Sequence, residues 1–200
     1  MSKGKKISAF VAATAVMLST VGYFPVATTY ATSTTCQAQA YNLAGNELNN
    51  LADGGTYIVH GDATGDLEFN PGWGVNKSVT IDLAGCTLNG QIRVSGGTVT
   101  IIDTSADKTG AVAGGSNHNT AARSQYGGNL VMTGGTFEKV VNGNNVTISG
   151  GKFTSGNANF VSQHLADDTY GMFTLNDNQV IVEKKLTEDD VTFPDDVELA

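Results

Sequence analysis

The chain has 200 residues, 25 of them glycine, and its 11 basic side chains face 19 acidic ones for a net charge of −8. With no basic run and no basic-aromatic patch, so acidic a surface is a poor partner for a phosphate backbone or an anionic membrane, which excludes nucleic-acid binding. The two cysteines, Cys36 and Cys86, have neither C-x-x-C nor metal-ligand spacing.

Lys3, Lys5 and Lys6 precede an apolar run from Ile7 to about Val26, and small residues follow up to Thr29-Tyr30-Ala31. That order predicts an export signal over residues 1–31, removed after Ala31. An uncleaved membrane anchor is the alternative for an apolar stretch of about 20 residues; Pro25 and the small residues after it argue against this. Removal leaves 8 basic against 19 acidic residues, a net of −11, and no second apolar segment long enough to span a bilayer. Both cysteines then lie in a compartment that permits disulfides, where they either pair with each other or stay as separate thiols.

Residues 37–55 are expected to form an N-terminal capping helix and its stop. The series Ala38, Ala40, Leu43, Ala44, Leu48 and Leu51 fits an amphipathic helix, and Asp53-Gly54-Gly55 ends it. From Thr56 the period changes to two. Short β-branched strands are expected at 56–60, 78–83, 91–94, 98–102, 129–132 and 145–148. In the clearest of them Val79, Ile81 and Leu83 face one way and Thr80 and Asp82 the other.

Three phrases repeat: Ile92-Arg93-Val94-Ser95-Gly96-Gly97-Thr98-Val99, Leu130-Val131-Met132-Thr133-Gly134-Gly135-Thr136-Phe137, and Val146-Thr147-Ile148-Ser149-Gly150-Gly151-Lys152-Phe153. Such repetition points to stacked coils, each strand pairing with its equivalent in the next, the aliphatic residues filling one interior and the glycine pairs turning corners. The first and second phrases are 38 residues apart and the others 16, so an extra or longer coil is expected in between. Residues 106–128 fit the pattern least, and Ala113-Gly114-Gly115-Ser116-Asn117-His118-Asn119 reads as a surface loop. Beyond Phe160 the repeat stops. Met172 to Leu175 and Gln179 to Glu183 form a strand-turn-strand signal that would close the stack, and 185–200 reads as an acidic tail or the start of a further module.

The wording of residues 76–90, with Ser78-Val79-Thr80-Ile81-Asp82-Leu83 at its centre, resembles the parallel β-helix repeats of pectate-lyase-like architecture found in large secreted and cell-surface proteins of Gram-positive bacteria. Gly54-Gly55-Thr56-Tyr57, the turn Ile102-Asp103-Thr104-Ser105, the Ser-Gly-Gly phrases and Leu165-Ala166-Asp167-Asp168-Thr169-Tyr170 extend the resemblance over roughly 37–184. It implies an all-β chain: a short right-handed parallel β-helix of about five coils over 56–184, with a small capping helix before it and a hairpin after it.

Such an architecture leaves function open. The resemblance fits a secreted or surface-displayed, non-enzymatic module, a spacer or adhesin-like surface whose partner is a cell-wall or host glycan or a protein. The candidate binding residues are Arg93, Trp73, His118 and Tyr126. One alternative is a polysaccharide lyase or hydrolase on the outer strand face, with Arg93 as base and Asp82 and Asp103 on neighbouring coils. Another is a carbohydrate-binding module with Trp73 and Tyr126 as stacking platforms. His60, His118 and His164 are too scattered to suggest metal ligands, and no cofactor motif is present.

Overall fold

The computed structural model describes residues 47–61, 63–72, 74–175 and 178–187. The chain divides into two units, 1–31 and 32–200, and every described residue belongs to the second. The expected export signal, residues 37–46 of the expected helix, Cys36, Trp73 and the tail beyond Thr187 lie outside the described residues.

A single helical turn, α1 (Glu47–Asn50), opens the described part, and Leu48 is wholly buried beneath it. Twelve strands follow: β1 (Thr56–Ile58), β2 (Ala63–Thr64), β3 (Leu67–Phe69), β4 (Ser78–Asp82), β5 (Thr87–Asn89), β6 (Ile92–Val94), β7 (Thr98–Ile102), β8 (Ala111–Val112), β9 (Thr120–Ser124), β10 (Asn129–Phe137), β11 (Val140–Asn142) and β12 (Val146–Thr154). All of them pair in parallel, and successive partners define three faces. The first holds β1, β4, β7 and the leading halves of β10 and β12. The second holds β2, β5, β8 and the trailing halves of β10 and β12. The third is a separate four-stranded sheet in the order β3-β6-β9-β11.

Period-two alternation turns one side of every strand inward. On the first face Val79, Val99, Leu130 and Val146 stack in register, and beside them Ile81, Ile101, Met132 and Ile148. On the second Leu88, Val112, Phe137 and Phe153 follow one another. The rings of Phe137 and Phe153 lie stacked with centroids 5.1 Å apart. All these residues belong to one buried cluster with Leu67, Ile92, Ala122 and Val141 of the third face.

One sequence expectation needs correction. The three Gly-Gly phrases are not equivalent positions. Leu130 pairs with Val99, not with Ile92, because Ile92–Val94 lies on the third face and Gly96-Gly97 turns the chain onto the first. The other two pairs lie one corner later, inside β10 and β12, where the ladder shifts register without breaking. Gly135 sits there at φ +90°, and a Cβ on it would fall 2.4 Å from the Leu83 side chain. The steps between register partners are 20 residues from Val79 to Val99, 31 from Val99 to Leu130 and 16 from Leu130 to Val146. The 38-residue interval therefore combines the expected longer coil, the 31-residue step, with a change of face. Within residues 106–128, which fit the repeat least, run two further strands, β8 and β9, and the expected surface loop 113–119 connects them.

Past β12 a short 3₁₀ turn (Ser155–Asn157) and α2 (Ala158–Gln163) lead to the hairpin β13 (Tyr170–Leu175) and β14 (Gln179–Lys184). β14 adds to the trailing half of β12 in antiparallel register, and Val180 comes opposite Phe153. Buried Asn157 closes the β11 edge: its Oδ1 accepts from the Val141 N–H, and its Nδ2 donates to the Lys139 carbonyl.

Candidate binding face

The third face carries three of the charged groups whose partners are resolved: Glu68, Arg93 and Asp66. β3, β6 and the Ala122-Arg123-Ser124 part of β9 run inward, outward, inward, so the outward residues form rows across the sheet. Glu68, Arg93, Arg123 and Asn142 make one such row. Arg93 Nη2 donates to Glu68 Oε2 at 2.7 Å, with both side chains about one-third exposed. Arg123 stands in register with Arg93 on the other side. The Nε atoms of both arginines are buried without a hydrogen-bond partner.

Just before this row Asp66 accepts from the Gln91 N–H and from Gln91 Nε2, each at 3.0 Å. His118 Nε2 lies 3.4 Å from Asp66 Oδ2. Burial works against the Asp66 charge, but the two Gln91 hydrogen bonds and the His118 and Arg93 charges outweigh it and hold the carboxyl below its ordinary range. Lys139 Nζ donates to the Gly115 and His118 carbonyls and ties the 113–119 loop to this side of the face.

Just after the row the strands end in three turns, and these enclose a cleft of about 580 Å³ lined by Glu68, Asn70, Val75, Asn76, Ser95, Gln125, Tyr126 and Asn129 together with glycine backbone. Tyr126 is 82% exposed and has φ +50°. The left-handed region costs a bulky L-residue on the order of 1 kcal/mol. The turn holds it there: the Gln125 N–H donates to the Val94 carbonyl, the Gly128 N–H to the Gln125 carbonyl, and Gln125 Nε2 to Ser95 Oγ. Gly97, also at positive φ, lies against the Lys77 carbonyl and the Phe69 ring, where a Cβ would meet atoms at 2.3 and 2.7 Å. Gly72, Gly74, Gly96, Gly97 and Gly127 supply bare backbone to the cleft lining.

Of the residues singled out in the sequence, Arg93, His118 and Tyr126 thus fall along one face, at its middle and its two ends. Trp73 lies outside the described residues, between Gly72 and Gly74, which line the cleft. Cys86 is disulfide-bonded, and the other cysteine, Cys36, lies outside the described residues. Asp82 and Asp103 are not companions of Arg93. Both are buried at the turn after the first face. Asp82 accepts from the Ala84 and Thr104 N–H groups and from Thr104 Oγ1. Asp103 accepts from the Gly85, Ser105 and Gly110 N–H groups and from Ser105 Oγ. These carboxylates organise turns, and the outward facing expected for Asp82 is overridden because the strand ends there.

Sequence reading missed Arg123, Gln125 and the amide lining. Arg123 is the middle of a strand whose run, Thr120-Ala121-Ala122-Arg123-Ser124, lacks clean alternation because Ala121 and Ala122 are both buried at a register shift. Among the described residues, no group of three His, Cys, Asp or Glu side chains is placed to hold a metal ion, and no helix is long and apolar enough to cross a membrane. No known family model, curated protein or solved structure matches this chain.

Proposed function

We propose that this chain is an exported, non-enzymatic surface module, a short right-handed parallel β-helix that presents the cleft beside its third face to a glycan. Tyr126 carries this reading: a largely exposed aromatic ring, held in a left-handed turn at the rim of an amide-lined cleft. A sugar ring offers an apolar C–H face to the tyrosine and hydroxyls to Asn70, Asn76, Gln125 and Asn129, which donate and accept. The cleft volume falls within the range of small-ligand sites.

The β-helix assignment rests on three parallel faces, register partners 16 to 31 residues apart and one shared interior. Export rests on the pattern of residues 1–31, and the disulfide at Cys86 belongs in an oxidising compartment. The lyase alternative is weakened by the tie between Arg93 and Glu68. The hydrolase alternative needs two carboxylates about 5 to 10 Å apart, whereas Glu68 is the sole carboxylate among the described lining residues.

The test is retention of the full chain on immobilised neutral polysaccharides, with released sugars assayed in parallel. Tyr126→Ala is expected to weaken retention about tenfold, the loss of a stacking platform worth roughly 1.5 kcal/mol. Retention unaffected by Tyr126→Ala, or product release that disappears in Arg93→Ala, would overturn the proposal.

A further inference from the structure

The row Glu68, Arg93, Arg123 is one negative charge short. Strands in a parallel sheet lie about 4.8 Å apart, and like charges directly opposite each other repel. Glu68 neutralises Arg93 from one side only. Among the described residues no carboxylate pairs with Arg123, and its buried Nε has no hydrogen-bond partner. The donors it has left are the terminal Nη groups, a planar fork that suits two oxygens of one anion. In a chain of net charge −8, two stacked arginines with a single ion-paired carboxylate mark a local exception; Asp66 acts on Arg93 through space and is itself engaged by Gln91 and His118.

We propose that Arg123, with Arg93 beside it, is an oxyanion-binding subsite, taking a sulfate or carboxylate group either as a free ion or as a substituent of the ligand in the cleft. Its position supports the second source. The next outward residues along the same three strands are Asn70, Ser95 and Gln125, all of which line the cleft, and Glu68 of the charged row lines it too. A glycan seated on Tyr126 that runs toward Arg123 brings an acidic substituent onto the guanidinium. The choice of a glycan as carrier rests on the function proposed above; the anion subsite does not.

Thermal melts of the full chain in low-millimolar sodium sulfate, against sodium chloride at matched ionic strength, read the subsite directly. Sulfate at tenfold excess over its Kd is expected to raise Tm by about 3 °C. Arg123→Gln is expected to lose that rise and, in chloride, to melt no lower than the wild type because the repulsion is gone. Glu68→Gln, which removes the competing carboxylate, is expected to tighten sulfate binding severalfold. Stronger retention on dextran sulfate than on dextran, the excess abolished by Arg123→Gln, assigns the anion to the glycan; a sulfate-induced rise with no such excess assigns it to the free ion. An equal rise in Arg123→Gln, no rise in the wild type, or a lower Tm of Arg123→Gln in chloride overturns the subsite. Loss of neutral-glycan retention with the sulfate effect intact overturns the cleft reading alone.

Discussion

Asp66 is the residue at which charge, burial and loop position meet. Its carboxyl is held below the ordinary aspartate value of 3.8 against the opposing effect of burial, by Gln91, His118 and Arg93. A group with a depressed folded pKa contributes stability that is complete above its unfolded pKa and lost as pH falls through the folded one. Melts at stepped pH are therefore expected to show an acid limb below about pH 4 that is shallower in Asp66→Asn; an unchanged limb would show that Asp66 is not its source. Asp167 shifts in the same direction through hydrogen bonds from the Thr169 hydroxyl and N–H. It is fully exposed in a turn and makes a natural comparison.

Within the strands, facing decides the cost of a change. Ile148 is wholly buried, in register with Met132, while its neighbour Thr147 is exposed and pairs with Val131. Ile148→Asp places an unpaired charge in the shared interior, which is expected to cost on the order of 4 kcal/mol and lower Tm by roughly 10 °C. Thr147→Asp is expected to stay within about 0.5 kcal/mol. Equal melting temperatures for the two variants would refute the facing. The alternation that makes this prediction was legible in the sequence for β4, β7, β10 and β12, each a clean apolar-polar-apolar run. It was not legible for β8, a two-residue strand, or for β9, whose register shift buries consecutive alanines.

At the scale of the whole molecule, stacked parallel strands leave an open edge at each end of the stack, and open edges recruit other chains. Here β14 pairs with the trailing half of β12, residues 164–166 bond to Ile148, and Asn157 occupies the β11 edge. A chain ended at Thr154 loses all three covers. It is expected to form oligomers or aggregates in size-exclusion chromatography where the full chain does not, and a well-behaved monomer would show that the hairpin is dispensable. The sequence by itself determined the strand-rich character, most of the inward residues and the closing hairpin, because alternation and β-branching act between neighbours along the chain; parallel stacking was an expectation from the repeated phrases. It also marked Arg93, His118 and Tyr126, though as scattered points. Only tertiary structure decided that they share a face, that Asp82 and Asp103 are consumed in turns, and that Arg123 stands against Arg93. Pairing register sets those relations across 16 to 31 residues of intervening chain, and the lengths of the connecting turns, which no local periodicity encodes, set the register.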